Sequence, residues 1–107
     1  MAGDIANWRD LIGSQSLDAY LAERFGDRSR FRISRRIYPP SVSTAGTMIG
    51  GLCFVVGGRC RFTFEVGRFD LQEGEYCQLP AGAYSLVSRG EVDCMVFKVF
   101  EIPGTKV

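Results

Sequence analysis

The sequence predicts an all-β fold, a small antiparallel β-barrel with an N-terminal helical segment. Three observations carry that expectation. Residues 30–102 fall into short stretches in which apolar and polar side chains alternate; glycine-bearing turns separate the stretches; and no helical period lies between them. At 107 residues the chain fits one domain and is long enough to bury a core without disulfide staples.

Residues 4–25 carry the helical signal. Ile5, Trp8, Leu11 and Ile12 recur at helical spacing until Gly13 interrupts them. Ser16 is a good N-cap for a second segment, in which Leu17, Tyr20, Leu21 and Phe25 form one stripe, and Gly26 is the expected stop. An amphipathic pair of this kind packs on the outside of a sheet.

After the polar turn at 27–30, Phe31, Ile33 and Ile37 share one face of a strand, with Arg30, Arg32, Ser34 and Arg36 on the other. Arg35 falls on the apolar face. It either turns back to solvent at an irregularity or points inward as a clamp for an anion. Tyr38-Pro39-Pro40 ends this strand, and 41–46 reads as a small, polar connection. Residues 48–56 are apolar on both parities, so both faces of that strand should be covered, one by the barrel interior and the other by helix or a second subunit.

Gly57-Gly58 signals a hairpin into the cleanest alternation in the chain, Cys60, Phe62, Phe64 and Val66 against Arg61, Thr63 and Glu65. Phe69 and Leu71 alternate after the next turn. Gly74 opens a short extended run that ends at the corner Pro80-Ala81-Gly82, where proline presets φ and glycine supplies a positive one. A last strand over 92–102 sets Met95, Phe97 and Val99 opposite Cys94, Val96, Lys98 and Phe100. The expected organisation is a helical cap over 1–29, a barrel over 30–102 and a tail over 103–107.

Composition removes several functions. A formal net charge of +1 gives no bulk attraction to nucleic acid or to an anionic membrane, and the arginines of 30–36 read as a solvated face. No apolar run approaches the ~18 residues of a membrane span. Residues 1–5 lack a basic and apolar leader, so the cytoplasm is the expected compartment. Cys53, Cys60, Cys77 and Cys94 include no C-x2-C pair and sit among apolar neighbours, which predicts free thiols rather than disulfides or zinc ligands. There is no histidine, the commonest transition-metal ligand and the usual acid/base near neutral pH. No metal and no cofactor are expected.

The stretch from Gly74 to Ser85 resembles the second motif of the cupin family, G-x5-P-x-G-x2-H-x3-N, with Gly74, Pro80 and Gly82 in place. Ser85 stands at the histidine position and Arg89 at the asparagine. Phe54-Val55-Val56-Gly57-Gly58 resembles the hairpin that closes the first motif, G-x5-H-x-H-x3,4-E-x6-G. Anchored there, the glutamate position falls on Gly51 and the two histidines on Ala45 or Gly46 and on Thr47. The resemblance covers roughly residues 30–102 and implies a cupin-like, jelly-roll barrel whose four metal-binding positions have lost their ligands.

The function expected from this is a metal-independent barrel that binds a small organic molecule, apolar or aromatic in character. Strand parity lines its cavity with Cys53, Val55, Phe62, Phe64, Ser85, Val87, Met95 and Phe97, and adds Arg35 as the one candidate anion contact. The alternative is a metal-free enzyme (isomerase, epimerase, dehydratase or cyclase) with Tyr76 and Tyr84 as acids, Ser85 as a hydrogen-bond donor and Cys53 or Cys77 as nucleophile. Nothing in the sequence activates such a thiol, and burial makes one less acidic. The third is a homodimeric interaction or scaffold module joined through the apolar run at 48–56.

Overall fold

Alternation and glycine turns produce nine strands in the structure, a computed structural model that describes residues 4–102. The expected tail at 103–107 lies outside the described residues, as do the first three residues of the expected cap. In chain order the elements are β1 (Ala6–Asn7), α1 (Arg9–Ile12), α2 (Leu17–Phe25), β2 (Phe31–Tyr38), β3 (Ser43–Met48), β4 (Gly51–Gly57), β5 (Arg59–Phe64), β6 (Gly67–Gln72), β7 (Glu75–Leu79), β8 (Gly82–Arg89) and β9 (Cys94–Glu101). One sheet runs β1-β7-β4-β9-β2 and the other β3-β8-β5-β6, with every strand pair antiparallel. No helix among the described residues is long and apolar enough to cross a membrane.

The side chains form two cores because the larger sheet buries both faces. Between the sheets lie Cys53 and Val55 of β4, Cys60, Phe62 and Phe64 of β5, Leu86 of β8 and Val96 of β9. On the outer face Phe54, Leu52, Val99 and Tyr76 meet Trp8, Leu17, Tyr20 and Leu21. Trp8 ties the cap down by donating its indole N–H to the Val55 carbonyl at 2.8 Å, and Phe54 stacks on Tyr76 at 5.2 Å. Residues 52–56 of the two-sided apolar run are thus covered by barrel interior and by helix within this one chain, while Ile49 stays exposed. Phe54 is wholly buried.

Several boundaries differ from expectation. Ala6–Asn7 is extended and pairs with β7, so the first helical turn starts only at Arg9. Ser16 caps α2 as its sequence suggests, its hydroxyl accepting from the Ala19 N–H at 3.1 Å. The small, polar stretch after Pro40 is in fact largely strand β3, held by pairing with β8 that composition alone does not announce. The apolar run is split at Ile49-Gly50 rather than continuous. Gly51, which opens β4, has no space for a side chain, since a Cβ there would run into the Val99 carbonyl and the Phe100 ring.

The period of β2 is read correctly but its faces are exchanged. Phe31 packs edge-on against Phe25 under α2, with ring centroids 5.2 Å apart. Ile33, Arg35 and Ile37 stay exposed on that outer side, while Arg32, Ser34, Arg36 and Tyr38 look into the barrel mouth. The β2–β9 register is unbroken, so no irregularity is needed to turn Arg35 outward.

Candidate functional site at the barrel mouth

The site is a pocket of about 510 Å³ where β2, β3, β8 and β9 meet. Parity on β9 builds its floor. Cys94, Val96, Lys98 and Phe100 point between the sheets, which carries a lysine into the interior at 5% exposure. Its ammonium lies 5.1 Å from the centroid of Tyr84, 5.4 Å from Tyr38 and 5.5 Å from Phe62, and it donates to the Tyr84 hydroxyl at 3.5 Å. Tyr84 lies over Gly46, where a Cβ would come within 3.2 Å of the hydroxyl, so any larger residue there would push the ring by a few tenths of an ångström. Arg32 and Arg36, one strand over, stand at the rim. No Asp or Glu lines the pocket.

Burial works against the Lys98 charge. Its pairing with the Tyr38 hydroxyl, and the field of Tyr38, Tyr84 and Cys53, outweigh burial and hold the group above the ordinary lysine value. The amine is therefore a cation at neutral pH, suited to holding negative charge and not to nucleophilic attack. Each aromatic face supplies about 0.5–2 kcal/mol to such a cation, while drying an ammonium costs several. The cage and the phenolic contacts together outweigh that cost, and among the described residues no carboxylate pairs with the charge.

The architecture around this pocket has solved counterparts. A Cupin 2 conserved barrel domain protein from Salinispora arenicola superposes with a TM-score of 0.59 at 18% identity, over 70% of this chain and 66% of its own. The Cupin_2 domain of an XRE family transcriptional regulator from Enterobacter cloacae gives 0.62 at 8%, over 72% and 86%. Oxalate decarboxylase from Bacillus subtilis, studied for its Mn(II) centres, gives 0.62 at 14%, over 91% of this chain and 24% of that one. The chain has the cupin fold. No protein-family model and no curated protein matches its sequence.

A cupin fold raises the question of a metal, and the residues present do not fit one. Gly51 cannot carry a ligand for the steric reason given above. Ser85 points away from the interior, because its neighbours Tyr84 and Leu86 point in. Ala45 is exposed with only a methyl group to offer, Thr47 lines the pocket with a neutral hydroxyl, and the Tyr84 ring lies over Gly46. An ammonium at the centre repels a cation. Among the described residues no three Cys, Asp or Glu side chains converge as ligands.

Placement of the expected site residues needs several corrections. Cys53, Val55, Phe62 and Phe64 do point between the sheets, but they are packed into the closed core and do not line the pocket. Ser85 and Val87 lie on the outer face of β8, since the strand enters the barrel one residue out of the expected phase, with Tyr84, Leu86 and Ser88 inward. Met95 and Phe97 lie on the outer face of β9, where Phe97 packs with the helix-covered core. Arg35 is exposed there, its guanidinium 3.4 Å from the Met95 sulfur. Tyr76 is on that outer face too, stacked on Phe54.

Tyr84 alone among the expected residues reaches the pocket. The four thiols are free and buried. Burial pushes Cys53 up, and Cys77 up to about 11, so neither is poised for attack. Lys98, Tyr38, Arg32 and Arg36 were not singled out as site residues. A lone lysine inside the otherwise apolar run 94–100 was the available signal.

Proposed function

We propose that this chain is a small-molecule-binding barrel that works without a metal, its ligand entering between β2 and β3 and resting on Tyr38, Tyr84 and Phe100. The observation that carries this is the pocket of about 510 Å³ ending on a buried ammonium, a volume in the range of small-ligand sites. The expected ligand was apolar or aromatic. Aromatic walls support that for its body, and the charged floor adds a polar end. Native mass spectrometry of the purified full chain, with a thermal-shift screen of small organic compounds, tests the reading. A retained or stabilising compound whose effect disappears in Tyr84→Ala is the expected result. A screen in which nothing binds, or in which Tyr84→Ala changes nothing, contradicts it.

A metal-free enzyme is the second reading, favoured by one contact, the Tyr84 phenol 3.5 Å from the Lys98 ammonium. Such a pair can move a proton at the phenolic oxygen. Tyr84→Phe should then abolish turnover while leaving binding nearly intact. Our reading keeps the protein in the cytoplasm, where buried thiols stay reduced. Of the apolar run at 48–56, Leu52, Phe54 and Val56 are already covered by the helical cap, while Ile49 is exposed; light scattering measures whether a homodimer forms.

A further inference from the structure

Lys98, Arg32 and Arg36 form a cationic wall with no acidic counterpart among the described residues. Among the described residues the ion pairs are Arg9–Glu73, Arg30–Glu101 and Arg61–Asp70, each on the surface, and none of them includes a residue that lines the pocket. The neighbouring Arg30 is thus neutralised by Glu101, while the two arginines that face the pocket on the same strand are not. Lys98 meets aromatic faces and the phenolic hydroxyls of Tyr38 and Tyr84. A buried cation of this kind is completed by an anion from outside the chain.

We propose that the pocket takes a small organic carboxylate with a flat apolar body, its acid group set between the Lys98 ammonium and the Tyr84 hydroxyl. This rests on the pocket being a ligand site. Two donors on one side suit the two oxygens of a carboxylate. Tyr38, Tyr84 and Phe100 offer ring surface to the body of the molecule, and Met48 closes the pocket beside them. Arg32 and Arg36, both exposed at the rim, draw the anion in and exclude cationic molecules of the same shape.

Matched acids and amides separate charge from shape. Thermal melts and titration calorimetry on the full chain would compare benzoate with benzamide, phenylacetate with phenylacetamide, and cinnamate with cinnamamide. The expected result is that at least one acid stabilises the protein and its amide does not. That acid should bind Lys98→Met at least about tenfold more weakly, and added salt should weaken it in the wild type. Should Lys98→Met fail to fold, Arg36→Gln provides the second variant, with weaker acid binding and a shallower salt dependence expected. Amides binding as well as their acids, or acid binding that survives both substitutions, overturns the carboxylate assignment and leaves the pocket standing. If neither acids nor amides bind, both readings fall.

Discussion

Two parts of one interior are built on opposite terms. In the closed part Phe62, Leu86, Val55 and the four thiols fill the space between the sheets with apolar or soft groups, and every side chain has its contacts within the chain. At the mouth the same strands β8 and β9 present Tyr84 and Lys98 to a cavity. Alternation alone places all of these residues. The contrast teaches that the inward position is common to both parts, while completeness is not. The closed part is finished by folding, and at the mouth a buried charge has no ion-pair partner among the described residues.

The sharpest way to break the contrast is to empty the closed part. Phe62→Ala should lose about 3–5 kcal/mol of stability in urea denaturation, through lost burial and a residual cavity. A loss below about 1 kcal/mol would mean that the closed part is as open as the mouth. Raising the pH should act next. Cys77 is held protonated to about 11 in the fold, above its ordinary 9.0, so its contribution is complete below pH 9 and lost as pH rises toward 11. Cys77 accounts for about 2–3 kcal/mol of the fall in stability. Urea melts across pH 8–11 should show a drop smaller by about that amount in Cys77→Val. The remainder comes from buried thiols such as Cys53, which burial also pushes up.

Lys98→Met makes the opposite demand. With no ligand added, exchanging a caged cation without an ion pair for an apolar side chain of similar length should change stability by no more than about 1–2 kcal/mol. A larger loss would make Lys98 a structural member of the core like Phe62. The smallest effect is expected at Arg9→Ala. Its ion pair with Glu73 is solvent-exposed, and breaking it should change the unfolding free energy by no more than about 1 kcal/mol.

The fold was legible because the closed part obeys simple rules. Cys60, Phe62 and Phe64 alternate as read, Gly58 makes its hairpin with φ at 71°, and Ser16 caps α2. The mouth was not legible, for two physical reasons. Strand β8 leaves the Pro80–Gly82 corner with Tyr84 inward, and a one-residue difference in phase exchanges every side chain of a strand, so Ser85 and Val87 were read in place of Tyr84 and Leu86. On β2 hydrophobicity chose the face of Phe31, Ile33 and Ile37, which is the outer one because Phe31 packs with the helix-covered core. On β9 both faces carry apolar residues, and hydrophobicity could not choose between them. It therefore favoured Met95 and Phe97 over Lys98.

The most direct measurement is a crystal structure of the purified protein grown with excess Mn(II), examined by anomalous scattering at the manganese edge. A barrel centred on an ammonium should show no peak between the sheets and should show the Lys98 amine within hydrogen-bonding reach of Tyr84 or of a bound anion. A manganese ion seated beside Tyr84 and Gly46, with Lys98 displaced, would contradict it.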